Sequence, residues 1–387
     1  MRARPHAFLL LALGAGAMHC GARTQAKSAQ PARTPAPVPH EDTALRAVAI
    51  AAGLRHVCAL TSEGKVLCWG ANASGQLGDG TRATRMHPTA VTALDGADQI
   101  VSGDEHTCAR TSGNQALLCW GQNAHGELGD GTTEERLSPV PVSDLHAVSS
   151  ASAGGHQTCA RKTNRFVLCW GEVHEGGTVN QPTPVFGMTE TEEVAVGAHH
   201  ACARVAEGRV LCWGSNNLRQ LGIPHVADRG MPVAVPHVES PVVQLALGHE
   251  HSCARTEQGA ALCWGGGLRC VPGEWFEGKR VAVKPGAIPN MDDVSLVAAG
   301  GDQACAVRKD GSVVCAHEKG TSSARADRSC TAEPIAGLSA VSALALGDGF
   351  GCALKTDGTV WCWGKNDAGQ LGDGTTRART EPAQVMR

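Results

Sequence analysis

Paired cysteines are the residues of this chain with the clearest chemistry, because two thiols held side by side can form a disulfide. Fourteen of the 17 cysteines occur in seven short segments, two to each segment. The pairs are Cys58 with Cys68, Cys108 with Cys119, Cys159 with Cys169, Cys202 with Cys212, Cys253 with Cys263, Cys305 with Cys315, and Cys352 with Cys362. We interpret each segment as a β-hairpin whose two cysteines face each other. The alternative is that they are buried thiols, which pack as small apolar residues.

The turn of the first hairpin supports the disulfides. Ser62-Glu63-Gly64 suits a three-residue loop that ends with Gly in the left-handed region, and this register places Cys58 directly opposite Cys68. Opposed side chains on one sheet face lie close enough for a slightly strained bridge. The pairs do not have the short CxxC spacing of a metal finger, so we predict seven disulfides and no metal at these positions.

Three cysteines lie outside the hairpins. Cys270 and Cys330 follow the fifth and sixth hairpins in adjacent repeats, and we predict that they pair with each other. Cys20 ends a segment typical of an export signal, with Arg2 and Arg4 followed by an apolar run and small residues. The signal either has a small-x-small cleavage site at Ala15-Gly16-Ala17 or ends at Cys20 as a lipid-accepting cysteine, and the unpaired Cys20 is either lipidated or removed with the signal.

The first 44 residues contain no repeat. We predict that residues 1–20 are a signal peptide, with a possible lipoprotein signal, and that the Pro- and Ala-rich residues 21–44 are a tether. The repeated domain then covers residues 45–387. Disulfides and an export signal together predict a location in the cell envelope, on the outer surface or outside the cell.

Histidine and aspartate also recur at fixed positions of the repeat. His56, His106, His200 and His251 could line a ring that binds metal, but Phe350 takes the same position in the last hairpin, which favours structural hydrogen bonds. The aspartates of the GDGT segments resemble calcium-loop residues, yet Asp before Gly is also ordinary in turns. They are Asp79, Asp130 and Asp373. We predict no metal, no cofactor and no catalytic residues, because no nucleophile–base or paired-carboxylate spacing is present.

The elements that carry these residues repeat seven times. The first cysteines of the pairs are 43 to 52 residues apart, a period typical of propellers. Each unit contains a Pro-x-x-Val segment, a β-rich run ending in Gly, and the two strands of the hairpin. Four short strands per unit predict an all-β, seven-bladed propeller. An apparently unmatched Pro-x-x-Val segment at residues 382–385 suggests that the C-terminal strand pairs with the first blade and closes the ring.

A second motif follows several hairpins, as in WGANASGQLGDGT at 69–81, WGQNAHGELGDGT at 120–132 and WGKNDAGQLGDGT at 363–375. With H-x-C-A and C-W-G in the hairpins, this pattern resembles the regulator of chromosome condensation repeat family over roughly residues 45–387. The resemblance implies a seven-bladed propeller, and the paired cysteines look like those of exported bacterial members. The tryptophans after the cysteines are on the opposite sheet face, where we expect them to pack between blades.

Blades three, five and six depart from the pattern, and function is one reason for such departures. Blade three lacks the N-x-x-G-Q-L-G loop, and blade five has a different loop that contains Trp275 and Phe276 beside Lys279 and Arg280. Aromatic residues and arginine are enriched in binding hot spots, so these four residues are the predicted partner-binding patch. The alternative is that these loops have drifted without function.

The composition favours a protein partner. The formal net charge is −3 and no run of Lys or Arg is present, which argues against nucleic-acid binding. We predict a monomeric, non-enzymatic, protein-binding scaffold that meets a membrane only through a possible lipid anchor. The resemblance leaves two alternatives open: nucleotide exchange on a small GTPase, and inhibition of a secreted enzyme such as a β-lactamase.

Overall fold

Each cysteine hairpin forms the two middle strands of an antiparallel sheet. The computed structural model describes residues 45–173, 177–224, 227–268, 274–276, 279–319 and 329–386. The predicted signal peptide, tether and lipidation site at Cys20 lie outside these residues, as does Cys270 with its proposed bridge to Cys330. Within the described ranges, no helix is both long enough and apolar enough to cross a membrane.

The 29 strands of the described residues form seven sheets, which are the blades. Blade one comprises β1 (Ala49–Ala52), β2 (His56–Leu60), β3 (Val66–Gly70) and β4 (Arg85–Ala90). Blade two comprises β5 (Ala97–Ser102), β6 (His106–Thr111), β7 (Leu117–Gly121) and β8 (Arg136–Pro141). Blade three comprises β9 (Val148–Gly154), β10 (Gln157–Lys162), β11 (Val167–Val173) and β12 (Gly177–Pro184). Blade four comprises β13 (Thr191–Val196), β14 (His200–Val205), β15 (Val210–Gly214) and β16 (Arg229–Ala234).

The last three blades follow the same order. Blade five comprises β17 (Val242–Leu247), β18 (His251–Thr256), β19 (Ala261–Gly265), β20 (Glu274–Phe276) and β21 (Lys279–Ala287). Blade six comprises β22 (Val294–Gly300), β23 (Gln303–Arg308), β24 (Val313–Lys319) and β25 (Ser329–Pro334). Blade seven comprises β26 (Val341–Leu346), β27 (Phe350–Lys355), β28 (Val360–Gly364) and β29 (Arg379–Gln384). The prediction of an all-β, seven-bladed propeller is confirmed.

The predicted hairpin register is also confirmed. Cys58 lies opposite Cys68 between β2 and β3, with a Cα–Cα distance of 4.1 Å and a bond between the sulfurs. The alternative of free, buried thiols is therefore wrong for this hairpin, because the two sulfurs are bonded to each other.

The other six hairpins contain the same bridge, with Cα–Cα distances of 4.0 to 4.1 Å. Alternation of side chains along a strand fixes the disulfide on the same face of every blade. The six further disulfides join Cys108 to Cys119, Cys159 to Cys169, Cys202 to Cys212, Cys253 to Cys263, Cys305 to Cys315, and Cys352 to Cys362.

The predicted closure by the C-terminal strand is not confirmed and needs correction. β29 pairs with β28 of its own blade, and β4 completes blade one. Where a repeat has a Pro-x-x-Val segment, the segment lies at the last strand of the unit, so the final one has a partner within its own blade. The ring closes instead where β1 contacts β26 and where the Ala47 N–H donates to the Gly358 carbonyl at 2.7 Å.

The hydrophobic core lies mainly between blades. One face of each sheet carries the disulfide, and in every blade except blade six, which has Ala316 there, the other face carries a tryptophan that packs against the preceding blade. For example, Trp120 of blade two packs with Cys58, Cys68 and Leu77 of blade one. Trp69, Trp120, Trp170 and Trp264 are all completely buried. The prediction that the tryptophans pack between blades is confirmed, and the neighbouring blades depend on each other for burial.

Candidate functional site

A loop after the third strand fills the space between most neighbouring blades. In blade one, Leu77 of this loop is completely buried between the disulfide of its own blade and Trp120 of the next. The Gln76 carbonyl accepts a hydrogen bond from Trp120 Nε1 at 3.0 Å. The loop thus supplies an apolar side chain and a carbonyl that together cover one tryptophan. The equivalent leucines are Leu128, Leu221 and Leu371, and the equivalent carbonyls cap Trp170, Trp264 and Trp69.

An asparagine and an aspartate hold this loop in shape. Asn72 Oδ1 accepts from the Leu77 N–H at 3.0 Å, and Asn72 Nδ2 donates to the carbonyl of Thr81 at 3.0 Å. Asp79 accepts from the Thr81 N–H and pairs with Arg85. Burial alone would raise the pKa of Asp79, but the hydrogen bonds from Thr81 and Arg85 outweigh it and lower the pKa. Asp79 therefore acts as a loop-stabilising residue whose oxygens have protein partners.

The recurring histidines connect neighbouring blades. His56 is completely buried, and its Nε2 lies 2.9 Å from Thr107 Oγ1 of the next blade. His106 makes the same contact with Thr158 Oγ1 at 2.8 Å. Burial lowers the pKa of His56 to about 3 and that of His106 to about 4, so both rings are neutral at pH 7. Their contacts are the structural hydrogen bonds that the sequence favoured.

The interface between blades three and four lacks the covering loop. The residues lining a groove of about 420 Å³ there include Trp213, Val179 and Phe186. Among the described residues, none accepts a hydrogen bond from Trp213 Nε1, unlike the four capped tryptophans. No leucine of blade three stands between its disulfide and Trp213, because β11 leads to β12 without the N-x-x-G-Q-L-G sequence. The groove is therefore the space that a leucine and a carbonyl occupy elsewhere.

The groove has an apolar floor and a polar rim. Cys169 and Trp213 are each 6% exposed and form part of its lining, whereas Phe186 at the rim is 81% exposed. His199 Nδ1 lies 3.5 Å from Glu172 Oε2 beside the opening. An apolar interior with a few polar groups at the edge is typical of a site that accepts a side chain from a partner.

Two family models match the chain in several places. Both are described as the regulator of chromosome condensation (RCC1) repeat. They match residues 47–76, 97–127, 192–220 and 341–370, and residues 63–110, 115–161, 207–255 and 357–387. The chain belongs to the RCC1 repeat family.

Relatives of this RCC1-repeat chain include much longer proteins. The chain is 28% identical over 224 residues to the Ultraviolet-B receptor UVR8 of Arabidopsis thaliana, covering 56% of the chain and 41% of the receptor. It is 35% identical over 147 residues to the human E3 ubiquitin-protein ligase HERC2, covering 35% of the chain and 3% of the ligase. The matched regions therefore span less than half of these relatives.

Solved structures show the same architecture. Prp20p from Saccharomyces cerevisiae, described with its binding to Gsp1p and histones, gives a TM-score of 0.73 at 20% identity over 89% of this chain and 88% of that one. Human WBSCR16 gives a TM-score of 0.71 at 20% identity over 84% and 94% of the two chains. At this level of identity the similarity shows the RCC1 propeller fold alone.

The predicted patch of this RCC1 propeller lies on the outer edge of blade five. Trp275 and Phe276 belong to β20, a fifth strand that pairs with β21 so that Trp275 faces Arg280 and Phe276 faces Lys279. The structure thus brings the four residues together in one hairpin at the sheet edge. Their side chains lie outside what the structure describes, so their role as a binding patch stays a prediction.

Sequence reasoning missed the groove, although it noted the loop that blade three lacks. The missing signal was the contact between each loop and the tryptophan of the next blade. Where blade three lacks the loop, Trp213 of blade four lines the groove, and Phe186 is the most exposed of the large apolar side chains described.

Proposed function

We propose that this RCC1-repeat propeller is an exported, non-enzymatic scaffold that binds a protein partner through the groove between blades three and four. The observation that carries the proposal is the groove over Trp213, where among the described residues neither a loop leucine nor a hydrogen-bonding carbonyl covers the indole ring. A partner that presents a large apolar side chain followed by a free backbone carbonyl has the shape and hydrogen-bonding capacity to fill it.

The disulfides support the exported location. Seven bridges within short hairpins persist only in an oxidising compartment, because cytosolic thiols are kept reduced. Export agrees with the signal-like residues 1–20, and attachment through Cys20 would place the propeller at the surface of the envelope.

Blade five supplies a second contact in this proposal. The β20–β21 hairpin extends the sheet beyond the usual four strands, and its sequence carries two aromatic and two basic residues. In this proposal the partner also contacts the hairpin, with Trp275 and Phe276 as the apolar part of that contact.

The groove has a matched test within blade three. Phe186 borders the groove, whereas Phe166 is 45% exposed in the same blade and does not line it. Partners captured by the full chain from the exported fraction of its native host would be identified, and binding to each would be measured by titration. We expect Phe186→Ala to weaken binding by about 30-fold or more, as for a hot-spot residue, and Phe166→Ala to leave it unchanged.

Equal affinities of the Phe186→Ala and Phe166→Ala variants would refute the groove as the binding site. A double Trp275→Ala, Phe276→Ala variant tests the hairpin separately. If this double variant captures the partner as well as the unmodified chain does, the hairpin has no part in binding and only the groove remains.

A further inference from the structure

Three potential metal ligands meet between blades two and three. His125 and Glu127 lie in the loop after β7, and His156 lies between β9 and β10. Ligand atoms of the three side chains all lie within 4.8 Å of one another. The two imidazole rings are 4.6 Å apart at their centroids, and Glu127 Oε1 is 3.6 Å from His156 Nδ1. This His-Glu-His cluster joins two blades and is separate from the groove.

Glu127 takes the place of a glutamine found in the other three loops. The amide oxygens of Gln76, Gln220 and Gln370 each accept a hydrogen bond from the backbone N–H two residues earlier. Glu127 Oε2 makes the same bond with the His125 N–H at 2.8 Å. The second oxygen, Oε1, therefore stands where a glutamine has its NH₂ group. A hydrogen-bond donor, the glutamine NH₂ group, is thus replaced by Glu127 Oε1, a negatively charged acceptor, and a cation at that point would balance its charge.

The cluster has polar atoms without hydrogen-bond partners among the described residues. Glu127 is completely buried, yet its Oε1 lacks a donor, and 3.6 Å to His156 Nδ1 is too long for a hydrogen bond. The Nδ1 atoms of His125 and His156 are buried and unpartnered as well. Buried polar atoms in native proteins nearly always have a partner, so three orphans that face one point indicate a missing ligand.

In two other blade pairs, side chains at or next to the equivalent positions contact each other. Between blades one and two, Ser74 Oγ donates to Glu105 Oε2 at 2.8 Å. Between blades seven and one, Arg55 pairs with Asp367. The positions of Ser74 and Glu105 are those of His125 and His156 in the next blade pair. The change to two histidines thus coincides with the change of glutamine to Glu127, and all three departures converge at one point.

We propose that His125, Glu127 and His156 bind one divalent transition-metal ion of the zinc class, which links blades two and three. Two imidazoles and one carboxylate are a ligand set that Zn²⁺ uses, with ligand bonds of about 2.0–2.2 Å and therefore about 3.4 Å between neighbouring tetrahedral ligands. The 3.6 Å between Glu127 Oε1 and His156 Nδ1 already approaches that value. His156 is 25% exposed, which leaves water access to the remaining coordination position. This proposal departs from the sequence-based prediction of no metal.

The test uses the full, disulfide-intact chain after removal of metals with a chelator. Calorimetric titration with Zn²⁺ alone should give one site per chain. Glu127→Gln restores the residue of the other three loops, so we expect this variant to fold normally and to bind Zn²⁺ at least about 100-fold more weakly. His146→Gln is the matched control, because His146 is an exposed histidine outside the cluster and its loss should leave the titration unchanged.

Thermal melting gives a second measurement of the link between the blades. At a free Zn²⁺ concentration one hundred times Kd, binding should raise the unfolding midpoint of the unmodified chain by about 4 °C and that of Glu127→Gln by none. Unchanged Zn²⁺ affinity in Glu127→Gln would overturn the proposal. The proposal would also be overturned if the unmodified chain bound Zn²⁺ no more tightly than the Glu127→Gln variant does.

Discussion

The buried histidines between blades make the fold sensitive to acid. His56, His106, His200 and His251 are fully buried, and this burial is the main cause that lowers their pKa values to about 3, 4, 3 and 4. In the unfolded chain, each would titrate near 6.5. Below pH 6.5 these histidines therefore bind protons in the unfolded chain but stay neutral in the folded chain. The stability contributed by the neutral rings is complete above that pH and is lost as the pH falls towards 4.

The size of the effect follows from the difference in pKa. At pH 5, an unfolded-state pKa of 6.5 and a folded-state pKa of 3 or 4 give a loss of about 2 kcal/mol for each histidine relative to pH 7.5. Four such residues together lose about 8 kcal/mol, which is comparable with the whole stability of a typical domain. His249 acts in the opposite direction, since its contact with the Asp104 carboxylate raises its pKa and favours the protonated, folded state.

The assay is urea unfolding with the disulfides intact, at pH 7.5 and at pH 5.0. Gln303 occupies the position of His251 in the next blade, so His251→Gln replaces the histidine with a residue that the repeat tolerates. We expect this substitution to reduce the difference in unfolding free energy between the two pH values by about 2 kcal/mol. His146→Gln at an exposed site should leave the difference unchanged. If both variants keep the full pH difference, the buried rings are not the source of acid sensitivity.

Two further substitutions test the packing that the fold requires, each by the same urea assay at pH 7.5. A Cβ at Gly103 would lie 2.5 Å from His106 Nδ1, so Gly103→Ala should destabilise the chain by about 1–3 kcal/mol. Gly113→Ala, where nothing lies within 4 Å, should change stability by less than about 0.5 kcal/mol, and equal losses at the two sites would contradict the steric argument. Leu128→Ala should cost about 2–5 kcal/mol, because Leu128 is completely buried with Trp170, and a negligible loss would mean that the loop leucine does not hold the blades together.

Much of the fold could be predicted because local rules repeat along the chain. Alternation along a strand and a Gly-containing turn place Cys58 opposite Cys68, and seven copies of one hairpin define seven blades. The start of the repeat was harder to place, since a periodic sequence can be divided at any of its four strands. Only the pairing of β29 with β28 shows that each unit ends with its Pro-x-x-Val strand.

The candidate sites depend on contacts between repeats, which no local pattern reveals. The missing loop in blade three was visible in the sequence, but its consequence depends on Trp213 in the following blade. The cluster at Glu127 was harder to predict, because His125 and Glu127 belong to one loop and His156 belongs to the next blade. Only the folded structure brings the three side chains together. A comparison of equivalent positions between each blade and the next would have identified both the groove and the cluster.

The vacancy over Trp213 can be measured directly by hydrogen exchange of the tryptophan indole N–H groups, followed by NMR and assigned with a Trp213→Phe variant. In the free protein, we expect the Trp213 proton to exchange much faster than those of Trp69, Trp120, Trp170 and Trp264, which are capped by carbonyls. Addition of a captured partner should slow the exchange of Trp213 alone among these five. An indole proton of Trp213 that is already as protected as the capped ones, or that the partner leaves unchanged, would contradict the proposed binding site.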